Sequence, residues 1–153
     1  MNESLWEEDF KVEEAQRTPE EIIKEQCGYL NKKLNNQVKA MISMYQRSSF
    51  DNWLKREEGE LGEVGEQNDF CYEFYITSPR TPNYKYRAFI IEYGIKLYPA
   101  HFQIDEGLIK DLKPTEDIPV HNEEELKDFL KEIFNSEKMR NVISNLLRMN
   151  KDY

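Results

Sequence analysis

Histidine and cysteine are scarce in this 153-residue chain, two of each, and glycine and proline stop at six apiece. Each shortage excludes a class of chemistry. Cys27 and Cys71 lie far apart, with no second thiol or imidazole at ligand spacing, so neither a metal site nor a disulfide framework is expected. Two isolated thiols favour a reducing, cytoplasmic setting. With only His101 and His121 present, nucleophilic catalysis is short of a base. His101 meets Cys71 only if the register of a sheet brings them together, and His121 stands just ahead of a helix cap, so the chain reads as non-catalytic. The glycines form no phosphate loop, because "GELGEVG" (59–65) carries acids that would repel phosphate; no cofactor is expected. Long apolar runs are missing as well. The best, "AFII" (88–91), falls far short of the ~20 residues of a membrane span. The acidic start "MNESLWEEDF" lacks the apolar segment of a secretory signal, so no membrane association is expected.

What the chain has in quantity is charge. A third of its residues are charged and the net charge is −9. The acids are unevenly placed. Residues 1–25 carry nine acids against three bases, 51–69 carry seven against two, and 105–125 carry eight against two, whereas 26–50 hold four bases and no acid. Acids therefore gather in the tail and the connections, while the periodic segments are mildly basic. Backbone-driven nucleic-acid binding wants the reverse, so no nucleic-acid partner is expected. An acidic surface suits a basic protein instead.

Periodicity predicts an α+β fold: an N-terminal helix, a four-stranded antiparallel meander, and two C-terminal helices packed on one sheet face. Residues 1–17 read as an acidic tail whose Trp6 and Phe10 dock on the rest, and 18–153 as a single domain. Thr18, Pro19 and Glu21 open the first helix as cap, first-turn proline and capping-box partner. Ile23, Cys27, Leu30 and Leu34 give it one apolar face, and Asn35–Asn36 end it. Segments 37–48, 70–78, 84–93 and 95–104 alternate with the period of two that a strand requires. "PRTPN" turns the chain between the second and third, and Gly94 breaks the third from the fourth. Pro99 belongs at an edge or a bulge, since it cannot donate to a ladder. Residues 49–69 form a long acidic connection and 105–121 a polar one. Asn122 with Glu125, then Ser136, cap the last two helices, whose stripes are Leu126, Phe129, Leu130, Ile133 and Phe134, and Met139, Val142, Ile143, Leu146 and Leu147.

Strict alternation sorts the strands onto two faces. Val38, Ile42, Met44, Tyr72, Phe74, Ile76, Ala88 and Ile90, with Ile95 and Leu97, are expected to face the helices. Lys39, Tyr45, Glu73, Tyr75, Lys85, Arg87, Tyr93, Lys96 and Tyr98 are expected to face away, together with Met41, Phe89, Ile91 and Phe102, which are too apolar for a bare surface. From this face come the first candidate binding residues: Tyr45, Tyr75, Lys85, Arg87, Tyr93, Lys96 and Tyr98. Tyr and Arg dominate binding hot spots; the plainer account makes them cross-strand pairs on a half-solvated sheet. The acidic connection supplies a second set, Glu57, Glu58, Glu60, Glu63 and Glu66. Glu92 is expected at the core's edge beside Gly94; enclosed next to Arg87 or His101, it would raise an acid–base role.

The leading functional reading is a small acidic protein-binding module, of the inhibitor or immunity-protein kind that antagonises a basic protein. One alternative is a small-molecule-binding domain or enzyme with a pocket on the tyrosine-rich face. The other is a homodimer or larger homo-oligomer that uses this face, or the edge strand with Pro99, as a subunit contact.

Overall fold

The computed structural model describes residues 3–6, 16–45, 70–112 and 118–150. Its elements, in chain order, are α1 (Pro19–Lys33), β1 (Lys39–Met44), β2 (Phe70–Ser78), β3 (Thr81–Tyr93), β4 (Ala100–Ile104), α2 (Glu106–Leu112), β5 (Ile118–Val120), α3 (Glu123–Phe134) and α4 (Glu137–Asn150). The strands make one antiparallel sheet in the order β1-β2-β3-β4-β5. The α+β class and the meander are therefore as the periodicity predicts, but the sheet has five strands rather than four. Both β5 and α2 fall in what reads as a polar connection, because three and seven residues are too few to display a period.

Local chemistry explains the helix starts. The Thr18 hydroxyl accepts from the Glu21 N–H at 3.1 Å while the Glu21 carboxylate accepts from the Thr18 N–H at 3.2 Å, a complete capping box. Asn122 Oδ1 accepts from the Glu125 N–H at 2.8 Å, and Ser136 Oγ accepts from the Met139 N–H at 3.2 Å. After α1, Asn35 and Asn36 adopt φ of 52° and 61°, left-handed values that asparagine accepts more readily than most residues, and so swing the chain into β1. Asn31 then seals the outer edge of β1. Its amide donates to the Ala40 carbonyl at 3.1 Å and accepts from the Ala40 N–H at 2.7 Å, taking the place of a neighbouring strand.

The core lies between one face of the sheet and all the long helices. Phe74, Phe89 and Phe102 stack across β2, β3 and β4 with centroids 4.9 and 5.1 Å apart, and Phe129 of α3 meets Phe102 edge-on at 4.9 Å. Ile22, Ile23 and Cys27 of α1, Leu126, Leu130 and Ile133 of α3, and Met139, Val142 and Leu146 of α4 close over this row.

One residue decides which side chains face the core. The register runs Tyr72 with Ile91 and Phe74 with Phe89, then jumps to Tyr75 with Arg87, leaving Ala88 unopposed on β2. This is a β-bulge, and the Ala88 carbonyl accepts instead from the Asp105 N–H at 2.9 Å. Before the bulge Lys85 and Arg87 point away from the helices, as alternation predicts. After it the phase is reversed. Phe89, Ile91 and Tyr93 turn into the core, with 1%, 0% and 3% of their surface exposed, while Ile90 and Glu92 turn outward. Phe102, expected on the far face, is also buried, because the turn before β4 resets that strand's phase. Of the four apolar residues that seemed to need a second cover, Phe89, Ile91 and Phe102 are core residues, and Met41 stays outward, 39% exposed.

That turn spans Gly94 to Pro99. The Leu97 N–H donates to the Gly94 carbonyl at 2.9 Å, Leu97 takes a left-handed φ of 73°, and the Tyr98–Pro99 bond is cis. β4 consequently starts at Ala100, and Ile95, 64% exposed, does not face the helices. Pro99 precedes its strand rather than sitting at an edge or bulge; Pro119 of β5 occupies the sheet edge. The β2–β3 turn is also tighter than "PRTPN", since Thr81 already pairs with Ser78. In the tail Trp6 is 76% exposed, and Phe10 lies outside the described residues. No helix among the described residues is long and apolar enough to cross a membrane.

Candidate functional site

With Phe89, Ile91 and Tyr93 turned inward, the outer face of β1, β2 and β3 is polar, and it is organised around one carboxylate. Glu73 of β2 is only 8% exposed although it points away from the core. Its Oε1 accepts a salt-bridging hydrogen bond from Lys85 Nζ, and its Oε2 lies 3.4 Å from Arg87 Nη1. Both cations also lie over aromatic rings. Lys85 Nζ is 4.2 Å from the Tyr75 centroid, and the Arg87 guanidinium is 5.6 Å from that of Tyr45. The register sets Tyr75 opposite Arg87 one same-face step along β2 from Glu73, and Thr77 opposite Lys85 one step beyond, so both cations reach back to the carboxylate diagonally. The Tyr45 N–H donates to the Cys71 carbonyl at 2.9 Å, carrying its ring alongside β2.

About half of each cationic side chain, 45% for Lys85 and 50% for Arg87, remains open to solvent. Two cations against one carboxylate leave the cluster with an unneutralised positive charge. A long side chain free in water loses up to ~2 kcal/mol of rotamer entropy when a partner fixes it. Here Glu73 and the rings have already fixed both.

Four of the seven tyrosine-face candidates thus come together: Tyr45, Tyr75, Lys85 and Arg87. Tyr93, Lys96 and Tyr98 do not join them. Tyr93 lies some 25 Å from Lys85 along β3 and faces the other way, its ring stacked on Tyr72 at 5.9 Å. Its hydroxyl lies near Thr18 and Glu20 at the start of α1. Burial first, and the neighbouring Tyr72 second, push its pKa well above the usual tyrosine range. Tyr98 is half-buried in the 94–99 turn, where burial and the Glu123 carboxylate raise its pKa and Arg17 opposes them. Lys96 is exposed in the same turn. Glu57, Glu58, Glu60, Glu63 and Glu66 lie outside the described residues.

Glu73 is the member that sequence reasoning placed on this face but left out of the site. Its signal was present as Glu-x-Tyr on β2 and Lys-x-Arg on β3, which means something only once the register is known: Tyr75 faces Arg87, while Glu73 faces Ile90 and Lys85 faces Thr77, so both ion pairs run diagonally.

A second row crosses the same face, with Cys71 paired to Glu92 and Glu92 to His101. Glu92 is half-buried beside His101, the placement that reopens an acid–base role. The order in the row speaks to a Cys71 nucleophile served by His101. The carboxylate stands between thiol and imidazole, and two strand spacings, roughly 9–10 Å, separate Cys71 from His101. A nucleophile needs the base within hydrogen-bonding reach, with the carboxylate behind the base. No group of three His, Cys, Asp or Glu among the described residues could hold a metal ion. His121 bonds Glu125 at 3.0 Å between Nδ1 and Oε1, and this contact holds the Glu125 pKa below the usual carboxylate range. That pair belongs to the cap of α3. No protein family, curated protein or solved structure matches this chain.

Proposed function

We propose that this chain is a protein-binding module that docks through the outer face of β1–β3, with Tyr45, Tyr75, Lys85 and Arg87 as the contact set. The observation that carries the reading is the Glu73 clamp, with both cations tied to one shielded carboxylate and laid over tyrosine rings. Tyrosine and arginine are the residues most often found to dominate binding energies. Fixing them before the encounter lowers the ordering cost that association must overcome. The net charge of −9 favours a basic partner at long range. At contact the partner would bring carboxylates or aromatic rings to the platform. Occlusion of a basic protein, in the manner of an inhibitor or immunity protein, is the activity that fits.

The test is capture from the chain's own cells with the wild-type protein and with the Tyr75→Ala and Arg87→Ala variants, washed at low and at high salt. Each substitution is expected to lower affinity for the retained protein about tenfold or more, and salt to weaken the wild-type complex. Equal retention by wild type and both variants overturns the assignment.

A further inference from the structure

On the opposite side of the sheet, α1 and α4 leave a groove between them. Its floor is Ala40, Phe74 and Ile76, its α1 wall Gln26, Tyr29, Leu30 and Lys33, and its far wall Phe134, Met139 and Ile143, around a volume of about 220 Å³. The floor is apolar and shielded, with Phe74 at 1% and Ile76 at 0% exposure. Polar groups come from one wall only. The Tyr29 hydroxyl donates to Glu25 at 3.3 Å, and Glu25 is itself paired with Arg17 at 2.9 Å. The remaining polar groups are the half-buried Gln26 amide, which is neutral, and Lys33 at the lip, exposed and without an ion pair among the described residues.

An apolar trough with one uncompensated cation at its rim defines a ligand by chemistry. We infer that the groove binds a small anionic amphiphile, an acyl or aromatic body with a single carboxylate or similar anion, with the body against Phe74, Leu30 and Ile143 and the anion at Lys33. The size agrees, since an apolar cavity of ~150 Å³ already holds benzene. A docked helix would need anchors spread over two or more turns, and this groove is bounded to one small body. The site is independent of the platform on the outer face.

The experiment is a titration followed by amide NMR, with octanoate as the probe and octylammonium, of the same length and opposite charge, as the control. Octanoate is expected to shift the amides of Leu30, Ala40, Ile76 and Ile143 saturably, and octylammonium to bind about twofold to fivefold more weakly, the range of an exposed ion pair. Lys33→Gln, an exposed change that leaves the fold intact, should erase the difference between the probes. Ile143→Trp should fill the groove and abolish both. Failure of octanoate to move these amides, or equal binding of the two probes to the wild type, overturns the inference. Shifts that follow protein concentration alone also overturn it, because a second copy of the chain would then be the occupant.

Discussion

Gly28 stands inside α1 with nothing from another part of the described residues within 4 Å of where a side chain would begin. A helical glycine in open space contributes only backbone freedom to the unfolded chain, so Gly28→Ala is expected to stabilise the protein by about 0.5–1 kcal/mol. Urea unfolding measures it; a loss of stability would mean that something packs against that face of α1. Its neighbour Cys27 gives a pH prediction. Burial pushes this thiol from 9.0 up to about 12. Above pH 9 the thiol ionises in the unfolded chain but stays protonated in the fold, so the unfolded state binds fewer protons and stability falls as pH rises. The slope approaches ~1.4 kcal/mol per pH unit between pH 9 and about 12. Tyr93, raised by its own burial, joins the decline once ordinary tyrosines ionise. Cys27→Val should flatten the first part of this decline in unfolding experiments across that window, and an unchanged slope would contradict the assignment.

At the level of elements, the Ala88 bulge carries the account, and alanine scanning reads it directly. Phe89→Ala is expected to cost about 3–5 kcal/mol as a core truncation, and Ile90→Ala about 1 kcal/mol as the loss of a half-buried side chain. Strict alternation predicts the opposite order. The helices with side-chain caps were legible because a cap, a stripe and a stop agree within a few residues, as Thr18, Glu21 and Asn35 do for α1. Strand β2 was legible to the residue, since Phe70–Ser78 alternates cleanly between its breaks. The bulge was not. "RAFII" supplies four apolar residues in a row, and an unbroken run fits either phase equally well. The Glu73 clamp was illegible for a related reason: it depends on which residues of β2 and β3 are opposite one another, and a bulge shifts that pairing. Tyr93 illustrates the cost. Its aromatic ring and polar tip suit a binding face or a core edge, and only the reversed phase beyond Ala88 assigns it to the core.

The whole molecule presents two unlike sides: a helical layer over the core, with a narrow apolar groove, and a sheet face with fixed cations and tyrosines. The chain carries a net charge of −9 while the platform holds two cations on one carboxylate, so on the proposed reading long-range attraction and close contact would select for different features of one partner. A homodimer formed through this face would place like-charged platforms against each other across a two-fold axis, since the same patch meets itself there. Lys85 and Arg87 resist that arrangement. The most direct test is the native mass of the chain purified gently at low salt from its own cells, beside the Tyr75→Ala, Arg87→Ala double variant. The account predicts a wild-type complex containing a second, different protein, and a bare monomer for the variant. Wild type and variant both running as the same monomer, or as the same homo-oligomer, would contradict it.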